Sequence, residues 1–189
     1  MWSIDKRYLN NEGYVSKSKI KNYFQPREAD LQILQDKDVN YRVFDVSINT
    51  FNSAATSYFH KTIGGYSAVK LRRIQDIIEH QLSVDSGNRE GVLNMLNTKY
   101  FIVQNSQNNQ PMAIPNPAAL GNAWFVRKVM ITDGANAEML ALNKLNPKIE
   151  LVADAQFKTM IQPIPAVIDT NATIKLTAYA PEHLTYDYQ

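Results

Sequence analysis

The residues best suited to chemistry in this chain crowd into one stretch, Tyr58-Phe59-His60-Lys61-Thr62-Ile63-Gly64-Gly65-Tyr66-Ser67-Ala68-Val69-Lys70-Leu71-Arg72-Arg73. Two glycines precede Ser67, which is expected to cap the chain's clearest helix. Backbone N–H groups and the positive end of the helix dipole would then be open to an anion. Lys61 and Lys70 lie within reach of that end, His60 and Arg73 complete the polar set, and Tyr58 and Tyr66 would form a stacking platform. Together with Gly64 and Gly65 these residues would suit a phosphate or a phospho-sugar. A structural reading competes and is the commoner outcome. In that reading Gly64 and Gly65 only make a tight turn, the tyrosines are core, and Arg72 pairs with Asp76 four residues on. Trp124, which follows the proline-containing loop from Asn116, is a second candidate ligand contact through sugar stacking, although a strand tryptophan is more often core.

Catalytic patterns are lacking elsewhere. The three histidines, His60, His80 and His183, show no metal-ligand spacing. His80 follows Asp76 by one helical turn, which reads as a surface ion pair. No nucleophile elbow, phosphate-binding loop or dinucleotide fingerprint is present, so no catalytic residue, metal or cofactor is assigned. Asp36 and Asp38 bracket a turn, where an Asx-rich turn is favoured over a cation site. The absence of cysteine removes disulfides, thiolate metal sites and cysteine nucleophiles.

Composition narrows the classes further. A chain of 189 residues with 44% apolar and 10% aromatic content can bury a sizeable core. Lys and Arg total 20 against 18 acidic residues, a net charge of +2. That balance argues against nucleic acid as a partner, because phosphate neutralisation needs a strong basic excess. No run approaches the roughly 20 apolar residues that span a bilayer.

The elements that must position these residues read as α+β: a mixed or antiparallel sheet with several short helices packed on it. Short helices are expected at Ser16–Tyr23, Arg27–Leu34 and Arg89–Leu96, and the best one after Ser67, with Leu71, Ile74, Ile78 and Leu82 in one stripe. A further helix runs from Asn136 to Leu145. Strands are expected at Tyr41–Val46, Lys99–Gln104, Pro111–Ile114, Ala123–Ile131 and Ile149–Ala153, with Pro163-Ile164-Pro165 extended. The chain ends in a hairpin, Thr173–Tyr179 with Leu184–Tyr188. Because a lone hairpin is marginal, it is expected to be either the start of a truncated β-rich region or an edge of the main sheet. Residues 1–170 would then form one α+β domain and residues 171–189 the hairpin.

Several runs, in order, resemble the YfhO-like bacterial membrane proteins, in the form associated with Bacteroidetes. They are Asp5-Lys6-Arg7-Tyr8-Leu9-Asn10, Tyr41-Arg42-Val43, Thr56 through Lys61, Gly64-Gly65-Tyr66 and Lys70-Leu71-Arg72-Arg73. Leu93 through Val103 and Asn116-Pro117 through Gly121-Asn122-Ala123-Trp124-Phe125-Val126 extend the likeness over most of the chain. Proteins of that family are multi-spanning and similar to lipid-dependent glycosyltransferases of the envelope. The resemblance implies an extracytoplasmic accessory fragment that is not itself an enzyme, facing the periplasm beside the membrane-spanning part of the same polypeptide. It would contact an envelope glycan or a lipid-linked sugar. A structural module that braces the membrane portion, with no ligand, is the alternative.

Overall fold

The computed structural model describes residues 16–19, 25–161, 169 and 171–189. The Pro163-Ile164-Pro165 stretch, the Asp5–Asn10 run and the second half (20–23) of the helix expected over 16–23 lie outside the described residues. The architecture is α+β, built on a three-stranded sheet in the order β1-β2-β3, with β1 at Arg42–Asp45, β2 at Thr98–Gln104 and β3 at Pro111–Pro115. The sheet is mixed: β1 runs parallel to β2, and β3 returns antiparallel beside β2.

Strand alternation divides the core in two. Successive side chains of a strand point to opposite faces, so Val43 goes one way and Phe44 the other. On the Val43 face, helix α1 (Glu28–Ile33) packs Ala29 and Ile33 against Val43, Ile102 and Ala113. On the Phe44 face lie Ile78, Leu82, Val92 and Leu93. These come from a helix α2 (Arg72–Ile77) that continues as one π turn, Ile78–Leu82, and from α3 (Arg89–Met95). Ile33, Val43 and Ile102 have no exposed surface, and burying each such side chain is worth about 1.5–3 kcal/mol.

A second unit joins this core. Strands β4 (Lys128–Thr132) and β5 (Glu150–Asp154) pair in parallel, with helix α4 (Ala135–Leu142) as the crossover. The joint is polar. Gln81, buried in the π turn, donates to the Met139 carbonyl at 3.0 Å and to Asn143 Oδ1 at 2.8 Å. Asn88 donates to the carbonyls of Leu142 (3.0 Å) and Leu145 (2.9 Å) while its own Oδ1 caps α3 by accepting the Gly91 N–H. Both amides thereby satisfy main-chain groups that a helix end leaves open.

The terminal hairpin, β6 (Ile174–Ala180) with β7 (His183–Tyr188), forms its own two-stranded sheet. It is not an edge of the main sheet. No helix among the described residues is long and apolar enough to cross a membrane.

Candidate functional site

The stretch from Tyr58 to Arg73 divides rather than converging on one ligand. Thr56–Tyr58 is a single 3₁₀ turn, after which the chain runs extended beside β1: the Val43 N–H donates to the Lys61 carbonyl at 2.9 Å and the Ile63 N–H to the Val43 carbonyl at 3.1 Å. Neighbours in extended chain face opposite ways, so His60 turns into the protein and Lys61 turns out of it.

His60 meets a buried ionic network. Asp45 stands two residues after Val43 in β1, hence on the α1 side of the sheet, and Asp30 lies in the first turn of α1. Both carboxylates are essentially sealed, at 1% and 0% exposure. Arg27 joins them, with Nε 2.9 Å from Asp30 Oδ2 and Nη2 2.7 Å from Asp45 Oδ2. His60 Nε2 lies 3.1 Å from Asp30 Oδ1. The Thr56 hydroxyl donates to Asp45 Oδ2 at 2.7 Å, and the Ser47 hydroxyl and N–H donate to Oδ1 at 2.6 and 2.9 Å. Burial pushes the Asp30 carboxyl up, but hydrogen bonds from His60 and Arg27 more than reverse this and hold it far below the usual carboxylate range. Arg27, bonded to Asp30 and despite its burial, is correspondingly raised. An ionised Asp30 makes Nε2 of His60 the donor. A carboxylate–histidine pair is also how a catalytic base is oriented. Among the described residues no hydroxyl bonds the imidazole, which is 2% exposed, and neither carboxylate lines any of four cavities there.

The glycines make a tight packing contact. The Gly65 N–H donates to the Thr50 carbonyl at 2.7 Å, and a Cβ on Gly64 would lie 2.2 Å from that same oxygen. The expected helix cap at Ser67 is corrected by the structure. The Ser67 hydroxyl donates to the Val69 carbonyl, and α2 begins only at Arg72 after Leu71. Leu71, counted in the helical stripe by its apolar character, is 76% exposed just before the helix, and Val69 on the preceding loop is 90% exposed. Gly64 and Gly65 therefore do not present a helix terminus to an anion. Tyr58 and Tyr66 are 60% and 66% exposed, so they are not core. Lys70 Nζ sits 5.8 Å from the Phe51 ring centroid, and exposed Arg73 lines a separate groove with Arg72, Asp76 and Asp154. Arg72 does pair with Asp76, at 2.8 Å, in place of the expected partnership with His80.

Trp124 is half-buried, and its indole N–H donates to the Pro147 carbonyl at 2.8 Å. It is tied to the second unit, and the strand expected from Ala123 starts at Lys128. At the expected Asx turn, the Asp38 N–H donates to Asp36 Oδ1 at 2.9 Å, and Lys99 Nζ lies 2.7 and 2.8 Å from Asp36 Oδ2 and Asp38 Oδ2.

Lys61 enters a different cavity from that of Arg73, a polar one of about 300 Å³. Its Nζ donates to Asn40 Oδ1 at 2.7 Å and sits 3.6 Å above the Tyr179 ring centroid. Asn40 is a hub. Its Nδ2 donates to Asn122 Oδ1 at 2.6 Å, and its carbonyl accepts from Asn97 Nδ2 at 2.8 Å and Asn122 Nδ2 at 2.9 Å. Asn97 takes φ 54°, a left-handed conformation that asparagine tolerates. Arg42 and Tyr186 complete the wall. The sequence reading missed these partners because they come from four separate segments; Asn97 before a strand was the one local signal of a special turn. It missed the buried network too, although Asp45 inside the apolar run Val43-Phe44-Asp45-Val46 marked a carboxylate that needed a partner. Comparison with known proteins adds no relative: no family model, no curated protein and no solved structure matches this chain.

Proposed function

We propose that this chain is a non-catalytic extracytoplasmic accessory domain of a multi-spanning membrane protein of YfhO-like type, where it contacts a glycan or a lipid-linked sugar. The observation that carries this reading is the Lys61 cavity, walled by asparagine amides, two tyrosines and two cations. Amides and aromatic faces are the groups that recognise hydroxyl-rich rings, while the buried acid–histidine cluster is consumed internally. The resemblance of the sequence runs supplies the membrane context, and any glycosyl transfer would then belong to other segments of the parent. The test is proteolysis of spheroplasts prepared from the source cells. The reading predicts a membrane-sedimenting polypeptide whose segment spanning residues 28–188 is cut by protease added outside. A free protein that stays protected until lysis would contradict it.

A second reading, a module that braces the membrane portion without a ligand, is favoured by one loop. Val69 and Leu71, two residues apart, stand 90% and 76% exposed there. It predicts that Val69→Ser with Leu71→Ser leaves the isolated chain as stable as before and loosens its association with the membrane part. Unchanged association in detergent pull-downs of the full-length protein would remove it.

A further inference from the structure

We propose that the Lys61 cavity binds a sugar carrying one anionic group, phosphate or carboxylate. This rests on the glycan-contacting reading above and specifies the ligand class of that same cavity.

Charge makes the first argument. Of four cavities among the described residues, this one alone is lined by lysine or arginine without aspartate or glutamate. The groove along α2 holds Arg72 and Arg73 but also Asp76, Glu138 and Asp154, which neutralise them. Neither Lys61 nor Arg42 makes an ion pair among the described residues. Lys61 spends one donor on Asn40, and Arg42 donates from Nη1 to the Leu96 carbonyl at 2.9 Å. Each cation keeps further N–H groups free of those bonds, since an ammonium has three and a guanidinium five.

The second argument is rigidity. The Asn40–Asn97–Asn122 lattice and the Tyr179 ring hold the Lys61 ammonium in place, so little side-chain entropy remains to be lost when an anion arrives. Asn97 at the base is 7% exposed. A loose surface lysine would lack this arrangement.

The sugar component follows from what remains. Tyr179 and Tyr186 bring phenol rings to the wall, and Leu184 adds an apolar face beside them. At about 300 Å³ the cavity lies at the small end of ligand sites, suited to one ring rather than a polymer stretch.

The experiment is a ¹⁵N–¹H NMR titration of the 189-residue chain with glucose 1-phosphate, glucuronate, glucose and inorganic phosphate, repeated with Lys61→Gln and Arg42→Gln. The expected result is movement of the Asn97, Gly121 and Tyr179 amides by glucose 1-phosphate or glucuronate, with affinity about tenfold above that for glucose and for phosphate alone. Each substitution should weaken that binding by about tenfold, the effect of one charge-assisted hydrogen bond. The better of the two anionic sugars identifies the source of the charge. Glucose binding as tightly as either would overturn the charge argument and leave the accessory-domain reading standing. Phosphate binding as tightly as glucose 1-phosphate would overturn the sugar argument. Folded variants that bind like the parent would remove the site altogether. Anionic-sugar binding by a chain that the spheroplast assay finds unattached to membrane would instead overturn the accessory role and leave this site intact.

Discussion

His60 and Lys61 are adjacent in the chain and end in opposite electrostatic settings. His60 points into a network in which two buried carboxylates, a half-buried guanidinium and two hydroxyls satisfy one another. Lys61 points into an open cavity where asparagines and a tyrosine ring hold it and no acid neutralises it. The first region spends its charge on folding, since an unpaired charge buried there would be very costly. The second keeps its charge available. Substitutions in the two regions should therefore separate stability from binding.

The largest effect should come from breaking the closed network. Asp30→Ala takes the carboxylate from buried His60 and leaves Arg27 with Asp45 alone, and urea denaturation should show a loss of about 3–5 kcal/mol. A loss under about 1 kcal/mol would mean that water already compensates the network. Gly64→Ala comes next. Its new methyl would meet the Thr50 carbonyl at 2.2 Å, an overpacking that costs about 1–3 kcal/mol, and the same denaturation assay would register it.

Acid should strike the closed region selectively. The Asp30 carboxyl is held low in the folded state, so its contribution to stability is fully present above the unfolded carboxylate pKa of about 4 and is lost as pH falls below that value. Asp36 shifts in the same direction: burial raises it, but hydrogen bonds from Lys99, the Asp38 backbone and the Tyr100 hydroxyl outweigh this and lower it. Thermal unfolding followed from pH 7 to pH 3 should show the melting temperature falling mainly below pH 4, and the fall should be smaller in the Asp30→Ala chain. Trp124→Phe removes one hydrogen bond to Pro147 and should cost about 1 kcal/mol by the same denaturation assay.

Much of the scaffold was legible in the sequence, because periodicity reports burial directly. The strands around Val43, Ile102 and Val152 and the terminal hairpin lie close to where alternation places them. The α+β class follows from the same pattern. The helix after Ser67 was read too long at its start, since Leu71 continues the apolar stripe while standing exposed before Arg72; hydrophobic type alone does not say which turn is buried. Ser67 satisfies its hydroxyl locally on Val69, a competition that serine often wins over capping. The site was less legible for a different reason. Lys61 could be nominated as a cation near a turn, but its selectivity depends on Asn40, Asn97, Asn122 and Tyr179, which only the folded chain brings together. Likewise Asp45 announced itself as a carboxylate in an apolar strand, yet nothing local pointed to Arg27.

The division between the two regions is tested most directly by one paired measurement: melting temperature and glucose 1-phosphate affinity, taken side by side on Asp30→Asn and on the Lys61→Gln/Arg42→Gln double variant. The account predicts that Asp30→Asn melts well below the parent and binds normally at temperatures where it is folded. It predicts that the double variant melts within about 2 °C of the parent and has lost binding. A double variant that unfolds as readily as Asp30→Asn, or that binds as the parent does, would contradict it.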